Sequence, residues 1–220
     1  MNIKKYLFSA FIISLVSVIG FGIISLLISD QKIRYFDSKV ITAVQGLETP
    51  GLTEVMKFFT FIGSTKVVII LSLVLLFFLY KVLHHRLELI LFASVIGGAG
   101  ILNGVLKHLF QRARPNLHRL IEIGGFSFPS GHAMSAFALY GVIAFLFWRH
   151  ISTRIGRTIL IIVSCFMIFA IGISRIYLGV HYPSDIVGGY FASGFWLSAA
   201  IWVFQFYKEK RYNRKHTHNN

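Results

Sequence analysis

Leu7 to Ile28 reads LFSAFIISLVSVIGFGIISLLI, a run without a single charged side chain, preceded by Lys4 and Lys5 and followed by Asp30. A helix needs about 20 mostly apolar residues to cross the hydrocarbon core of a bilayer, and this run supplies them. Its basic start resembles that of a signal peptide, yet the run outlasts the ~7–15 residues of a signal core and no small-residue cleavage site follows. It is read as an uncleaved membrane anchor.

The rest of the chain agrees with that start. Of its 220 residues 55% are hydrophobic and only 14% charged, against about 25% charged in soluble domains. No Pro/Ser-rich linker, low-complexity tract or internal repeat divides it, so residues 1–220 are expected to form a single membrane-embedded domain. Six apolar stretches are candidate spans, at about residues 6–28, 67–82, 87–106, 132–148, 158–173 and 184–207. The expected fold class is an all-α integral membrane protein with six transmembrane helices. The lone cysteine, Cys165, lies in an apolar run and leaves no partner for an internal disulfide or a cysteine-rich metal site.

The formal charge is +14, which in a membrane protein first signifies cytoplasmic loops. The short connections 81–87 and 148–158 and the tail after Tyr207 are densely basic. Both termini are therefore expected in the cytoplasm of a multi-pass plasma-membrane protein. Residues 29–66 form one long polar excursion, in which Ile33, Phe36, Val40, Val44 and Leu47 recur at helical spacing. An amphipathic helix on the outer face is expected there. Small residues four apart, Ala93/Gly97, Gly100/Gly104 and Gly188/Ala192, predict close helix approach. Gly97-Gly98-Ala99-Gly100 is not a nucleotide loop, since it lacks a preceding strand and a following Lys-Ser/Thr.

Three polar islands interrupt the apolar sequence: Lys107 to Pro115, Pro129-Ser130-Gly131-His132, and Ser174 to Asp185. Counting spans puts all of them on one membrane face, the outer one. Lys107, Arg114 and Arg175 are cations at helix ends, where burial without a partner costs about 2.5–3.5 kcal/mol. Any one of them can snorkel to the interface; grouped, they call for an anion, and a phosphate matches guanidinium forks. Ser130 is a good N-cap and Gly131 permits close approach, so a helix start faces the same place. Pro183 is suited to a first helical position, which makes Tyr182 the N-cap and puts Asp185 where its carboxylate reaches back over the helix start. Asp185 can then take a proton from one nitrogen of His181 and leave the other as a nucleophile. An ordinary helix N-terminal acid is the alternative reading of Asp185.

Taken together, the islands resemble the signature of the type 2 phosphatidic acid phosphatase (lipid phosphate phosphatase) superfamily: Lys-x6-Arg-Pro, Pro-Ser-Gly-His, Ser-Arg-x5-His-x3-Asp. No residue or spacing departs from it. The resemblance implies that His181 attacks phosphorus to give a phosphohistidine and that Asp185 orients it. It implies that His132 acts as general acid and base, and that Lys107, Arg114, Ser130, Gly131 and Arg175 hold the phosphate oxygens. It also implies a metal-free reaction with no cofactor, and apart from Asp185 no acidic cluster stands ready for a divalent ion. The expected partners are a lipid phosphate substrate and membrane lipids, with no nucleic acid and no obligate protein partner.

Within the family, size and plan are most similar to enzymes releasing phosphatidylglycerol from phosphatidylglycerophosphate. Undecaprenyl diphosphate and phosphatidic acid or diacylglycerol pyrophosphate are the alternative substrates. The superfamily's vanadium haloperoxidases are soluble and fit poorly; a transporter or channel with a phosphate site is the reading from another class. Arg112, Arg119, His108 and His118 lie on the outer side without a place in the pattern. His84, His85, His216 and His218 are read as bystanders.

Overall fold

The computed structural model describes residues 3–83, 86–116 and 118–217; His84, His85 and His218 lie outside them. Among the described residues all regular structure is helical. The order is α1 (Ile3–Ser29), α2 (Arg34–Gln45), α3 (Pro50–Ile62), α4 (Thr65–Phe78, continued as a π-turn over Leu79–Leu83), α5 (Arg86–Phe110), α6 (Gly131–Trp148), α7 (Arg154–Tyr177) and α8 (Pro183–Thr217).

Among the described residues five helices are long and apolar enough to cross a bilayer: α1 from Leu7, α5, α6, α7 and α8. A sixth crossing arises only if α3 and α4 are taken as one span, since together they pass the same test across a 53° bend. The outward surfaces of α1, α4, α5 and α7 expose large apolar side chains such as Phe11, Leu73, Ile101 and Phe166. In water this would be an aggregation surface; in lipid it faces its own solvent.

Helix α6 is the hub, flanked by α4, α5, α7 and α8, while α1 lies along α8. Phe92, Val95 and Ala99 of α5 meet Ala138, Leu139, Val142 and Leu146 of α6 in the main core. Close approach is set by single glycines facing bulky rings. The Trp196 ring lies over Gly98, Phe128 over Gly188 and Phe191 over Gly20.

Several expectations change in detail. The small-residue spacing on α5 does not mediate packing, because Gly97, Gly100 and Gly104 meet nothing within 4 Å and it is Gly98 that accepts a neighbour. Helices α5 and α7 run a turn beyond their expected ends, so Lys107 and Arg175 sit in last helical turns. Apolar count alone misses such turns, because polar residues continue a helix as readily. Residues 29–66 form two helices instead of one. Thr49 caps the second by accepting from the Leu52 N–H, with Pro50 at its first position.

The inward face of α2 also differs from the apolar set expected: Ile33, Asp37 and Ile41 are buried, whereas Phe36 and Leu47 are exposed. Burial follows the four-residue period through Asp37, because that carboxylate finds donors inside. Between α3 and α4 the helical hydrogen bonds break: Gly63 N–H goes to Phe59 O and Ser64 N–H to Phe61 O, stepping over the carbonyl of Thr60.

Candidate active site

The ends of α5 and α7, the starts of α6 and α8, and the loop 111–130 converge on one place, joined there by Thr60 of α3. Helix α5 ends at Phe110, and the next residue, Gln111, with a φ of 45°, swings the chain into an extended stretch. Arg112 and Arg114 turn inward from it, with Ala113 exposed between them. A second tight turn, over Leu178–Tyr182, depends on Gly179 at φ +73°, where a side chain would press on the backbone of His118 and Arg119. The Leu120 N–H donates to Leu178 O at 3.1 Å, tying the loop to this turn.

The α8 start is built as a capping box. Pro183 occupies the first helical position, and Asp185 Oδ2 accepts from the Tyr182 backbone N–H at 2.8 Å. The same oxygen lies 3.3 Å from His181 Nδ1 and also accepts from Ser127 Oγ. His181 Nε2 faces Arg114 Nη1 at 3.0 Å. A guanidinium nitrogen has only hydrogens to offer, so Nε2 is the accepting nitrogen and Nδ1 carries the proton toward the carboxylate.

Burial pushes the His181 imidazole down to about 4, although Asp185 works in the opposite direction. At neutral pH the pair is therefore a hydrogen bond between a neutral ring and a carboxylate, with a lone pair left on Nε2. Burial is also the main influence lowering the Arg114 guanidinium from its ordinary value.

Three cations lie near the His181–Asp185 pair. Arg114 Nε donates to Gly125 O at 3.0 Å and to Gly124 O at 3.2 Å, and its Nη1 to Val180 O at 2.8 Å. Lys107 Nζ donates to Phe126 O at 3.0 Å. Arg175, 1% exposed, donates to Thr60 Oγ1, while its Nε has no partner among the described residues. These like charges act on one another: Lys107 feels both Arg114 and Arg175. An anion between them would relieve the repulsion and satisfy the orphaned nitrogen.

His132, in the first turn of α6, donates to the backbone carbonyl of Thr60 and lies within electrostatic reach of Arg175, His181 and Lys107. Ser130 is fully buried and its Oγ accepts from Ala133 N–H, so the hydroxyl caps α6. At Gly131 a Cβ would stand 3.0 Å from Asn103 Oδ1; the glycine lets α5 and α6 close together. Every sequence-expected site residue thus comes to this one region.

Sequence reasoning passed over Arg112, Asp37, Ser127 and Thr60. Arg112 Nη1 donates to Asp185 Oδ1 at 2.7 Å and Nη2 to Asp37 Oδ2 at 2.9 Å. A signal existed for Asp37: it lies four residues from both Ile33 and Ile41, a charged residue on the face that would otherwise be apolar. His118 pairs instead with Glu48 at 2.8 Å on the exposed side. Arg119 Nε donates to Pro115 O at 2.6 Å.

A family model described as "PAP2 superfamily" matches residues 88–210. The chain is 33% identical over 175 residues to phosphatidylglycerophosphatase B of Bacillus subtilis (strain 168), covering 77% of this chain and 84% of that protein. It is 27% identical over 161 residues to the putative undecaprenyl-diphosphatase YbjG of Escherichia coli (strain K12), covering 70% and 76%. The crystal structure of a transmembrane PAP2 type phosphatidylglycerolphosphate phosphatase from Bacillus subtilis superposes with a TM-score of 0.75 at 30% identity, over 90% of this chain and 96% of that one.

Proposed function

The chain belongs to the PAP2 superfamily and is a multi-pass membrane protein, and from that premise we propose that it hydrolyses the phosphomonoester of phosphatidylglycerophosphate to phosphatidylglycerol through a phosphohistidine at His181. One observation carries the reading: a buried, neutral imidazole turns its accepting Nε2 to the Arg114 guanidinium, with Arg175 close by and a carboxylate fixed behind the ring.

The substrate phosphate displaces the Arg114 guanidinium from His181 Nε2 and takes its hydrogen bonds, held also by Lys107, Arg175 and the backbone N–H groups where Ser130 and Gly131 open α6. Nε2 gives its lone pair to phosphorus as the bond to the lipid oxygen breaks. The Nδ1 proton, shared with Asp185, lets the ring carry the positive charge that develops. His132, protonated in the presence of the phosphate's negative charge, gives the proton on the ring nitrogen not held by Thr60 to the departing alkoxide. It then takes one from a water that attacks phosphorus, the P–N bond breaks, and inorganic phosphate leaves. Lys107, Arg114 and Arg175 stabilise the charge on the transferring group, the task a divalent ion has elsewhere. With the termini in the cytoplasm, the site opens on the outer leaflet; the basic connections 81–87 and 148–158 support that orientation.

The likeness to the Escherichia coli protein keeps a lipid diphosphate as the second substrate reading. Phosphate release in detergent from phosphatidylglycerophosphate, phosphatidic acid and undecaprenyl diphosphate separates them: the highest kcat/KM is expected for the first. His181→Ala should lower turnover by at least about three orders of magnitude, as loss of a nucleophile does. Vanadate should inhibit and EDTA should not; loss of activity on chelation would end the metal-free reading, and a turning-over His181→Ala would end the covalent one.

A further inference from the structure

We propose that Arg112 is a positioning residue: together with Asp37 of α2 it forms a buried, charge-balanced clamp that fixes the Asp185 carboxylate behind His181. The proposal rests on His181 being the nucleophile. Arg112 stands inside the Lys-x6-Arg interval, at a position the signature leaves open, and it does not face the cationic ring. Its two terminal nitrogens are committed to carboxylates, Nη1 to Asp185 Oδ1 and Nη2 to Asp37 Oδ2. Nη1 is also 2.7 Å from Ser184 Oγ, and the guanidinium lies 4.1 Å from the centre of the Tyr182 ring.

Asp37 completes the clamp from the other side. Its Oδ1 accepts from the Ser184 backbone N–H at 2.9 Å and its Oδ2 from Ser184 Oγ at 2.7 Å. A side chain of α2 therefore satisfies a free N–H in the first turn of α8, which the chain's own cap leaves open. The side chains of Asp37 and Asp185 are 3% and 0% exposed, and that of Arg112 15%.

Burying a carboxylate without a partner is strongly unfavourable, and here one planar fork serves two of them. A lysine, with a single point charge, does not bridge both. With Ser127, Tyr182 and His181 on Oδ2 and Arg112 on Oδ1, the Asp185 carboxylate has every direction taken and cannot rotate away from the imidazole.

The charges give the clamp a signature. His181 is faced by Asp185 from α8, Arg114 from the loop, Arg175 from α7 and His132 from α6. Lys107 from α5 acts on Asp185 and on both arginines, and His118 shares a small cavity with the ring. Arg112 and Asp37 add opposite charges that cancel. Removing Arg112 alone leaves an uncompensated carboxylate, which favours a protonated His181. Removing the Asp37 charge alone does the reverse, and removing both restores the balance.

The test uses the full chain in detergent with short-chain phosphatidylglycerophosphate, comparing Arg112→Met, Asp37→Asn and the double variant. Arg112→Met should lower kcat by about 10- to 100-fold, the range for groups that orient a reacting one. KM and vanadate inhibition should stay unchanged, and the acid limb of the pH profile should move to higher pH. Asp37→Asn should move that limb lower, and the double variant should return it toward wild type. An unchanged kcat in Arg112→Met overturns the clamp, as does a weakened KM or vanadate inhibition with an unmoved limb, which marks a phosphate contact. If Arg112→Met does not fold, an unmoved limb in Asp37→Asn overturns it. His181→Ala separates the two readings: if it still turns over, the phosphohistidine falls and the clamp with it. If it is dead while Arg112→Met keeps its kcat, only the clamp falls.

Discussion

At His181, burial and a carboxylate act together, and they set how the protein answers acid. Burial holds the ring down at about 4. The Nε2 lone pair is therefore present at neutral pH and throughout the mildly acidic range, and is lost only as pH falls through about 4. With the substrate's own ionisation divided out, kcat/KM should show no limb near the ordinary histidine value of about 6.5; a limb there would contradict the burial of His181. Stability has the same sign. Below about 6.5 the unfolded chain takes up a proton that the folded one refuses, so the fold loses stability as pH drops from there. Chemical melts across pH 7 to 4 check this. The His181–Asp185 pair was readable from sequence because a capping box is local, spelled by Tyr182, Pro183 and Asp185. Arg112 and Asp37 were not, because their meeting depends on how α2 docks against the start of α8.

Helices were legible wherever apolar length decides them, and their ends were not. The last turns of α5 and α7 carry Lys107 and Arg175, so counting apolar residues stops one turn before the chemistry. Glycine spacing misled for a related reason: it names residues able to approach a neighbour, while the neighbour's position is a property of the bundle. Gly98 and Gly97 make the difference measurable. A side chain at Gly98 would collide with the Trp196 ring, and one at Gly97 meets nothing. Gly98→Val should cost about 1–3 kcal/mol, as overpacked sites do, and lower the melting temperature in detergent. Gly97→Ala should leave it unchanged. Equal melting of the two would mean that α5 and α8 do not meet through Trp196.

For the whole molecule, five apolar crossings were legible among the described residues, and the sixth expected one was not: it exists only if the bent pair α3 and α4 is one span, and α3 came out of the segment expected to lie on the surface. Sidedness can be tested with thiols. In a Cys165→Ser background, Gly124→Cys in the site loop should react with a membrane-impermeant maleimide on intact cells. Ser152→Cys, in the exposed connection between α6 and α7, should react only after permeabilisation. The opposite pattern would turn the molecule over and place the site in the cytoplasm.

The interruption at Gly63 and Ser64 leaves the carbonyl of Thr60 without a partner in its own helix, while the hydroxyl of the same residue reaches Arg175. His132 leans on that spare oxygen. A straight rod through the bilayer would consume it in the ordinary ladder, and His132 would lose its mooring. A bend that looks like an imperfection between two apolar helices is thus how one residue comes to brace both an imidazole and a cation.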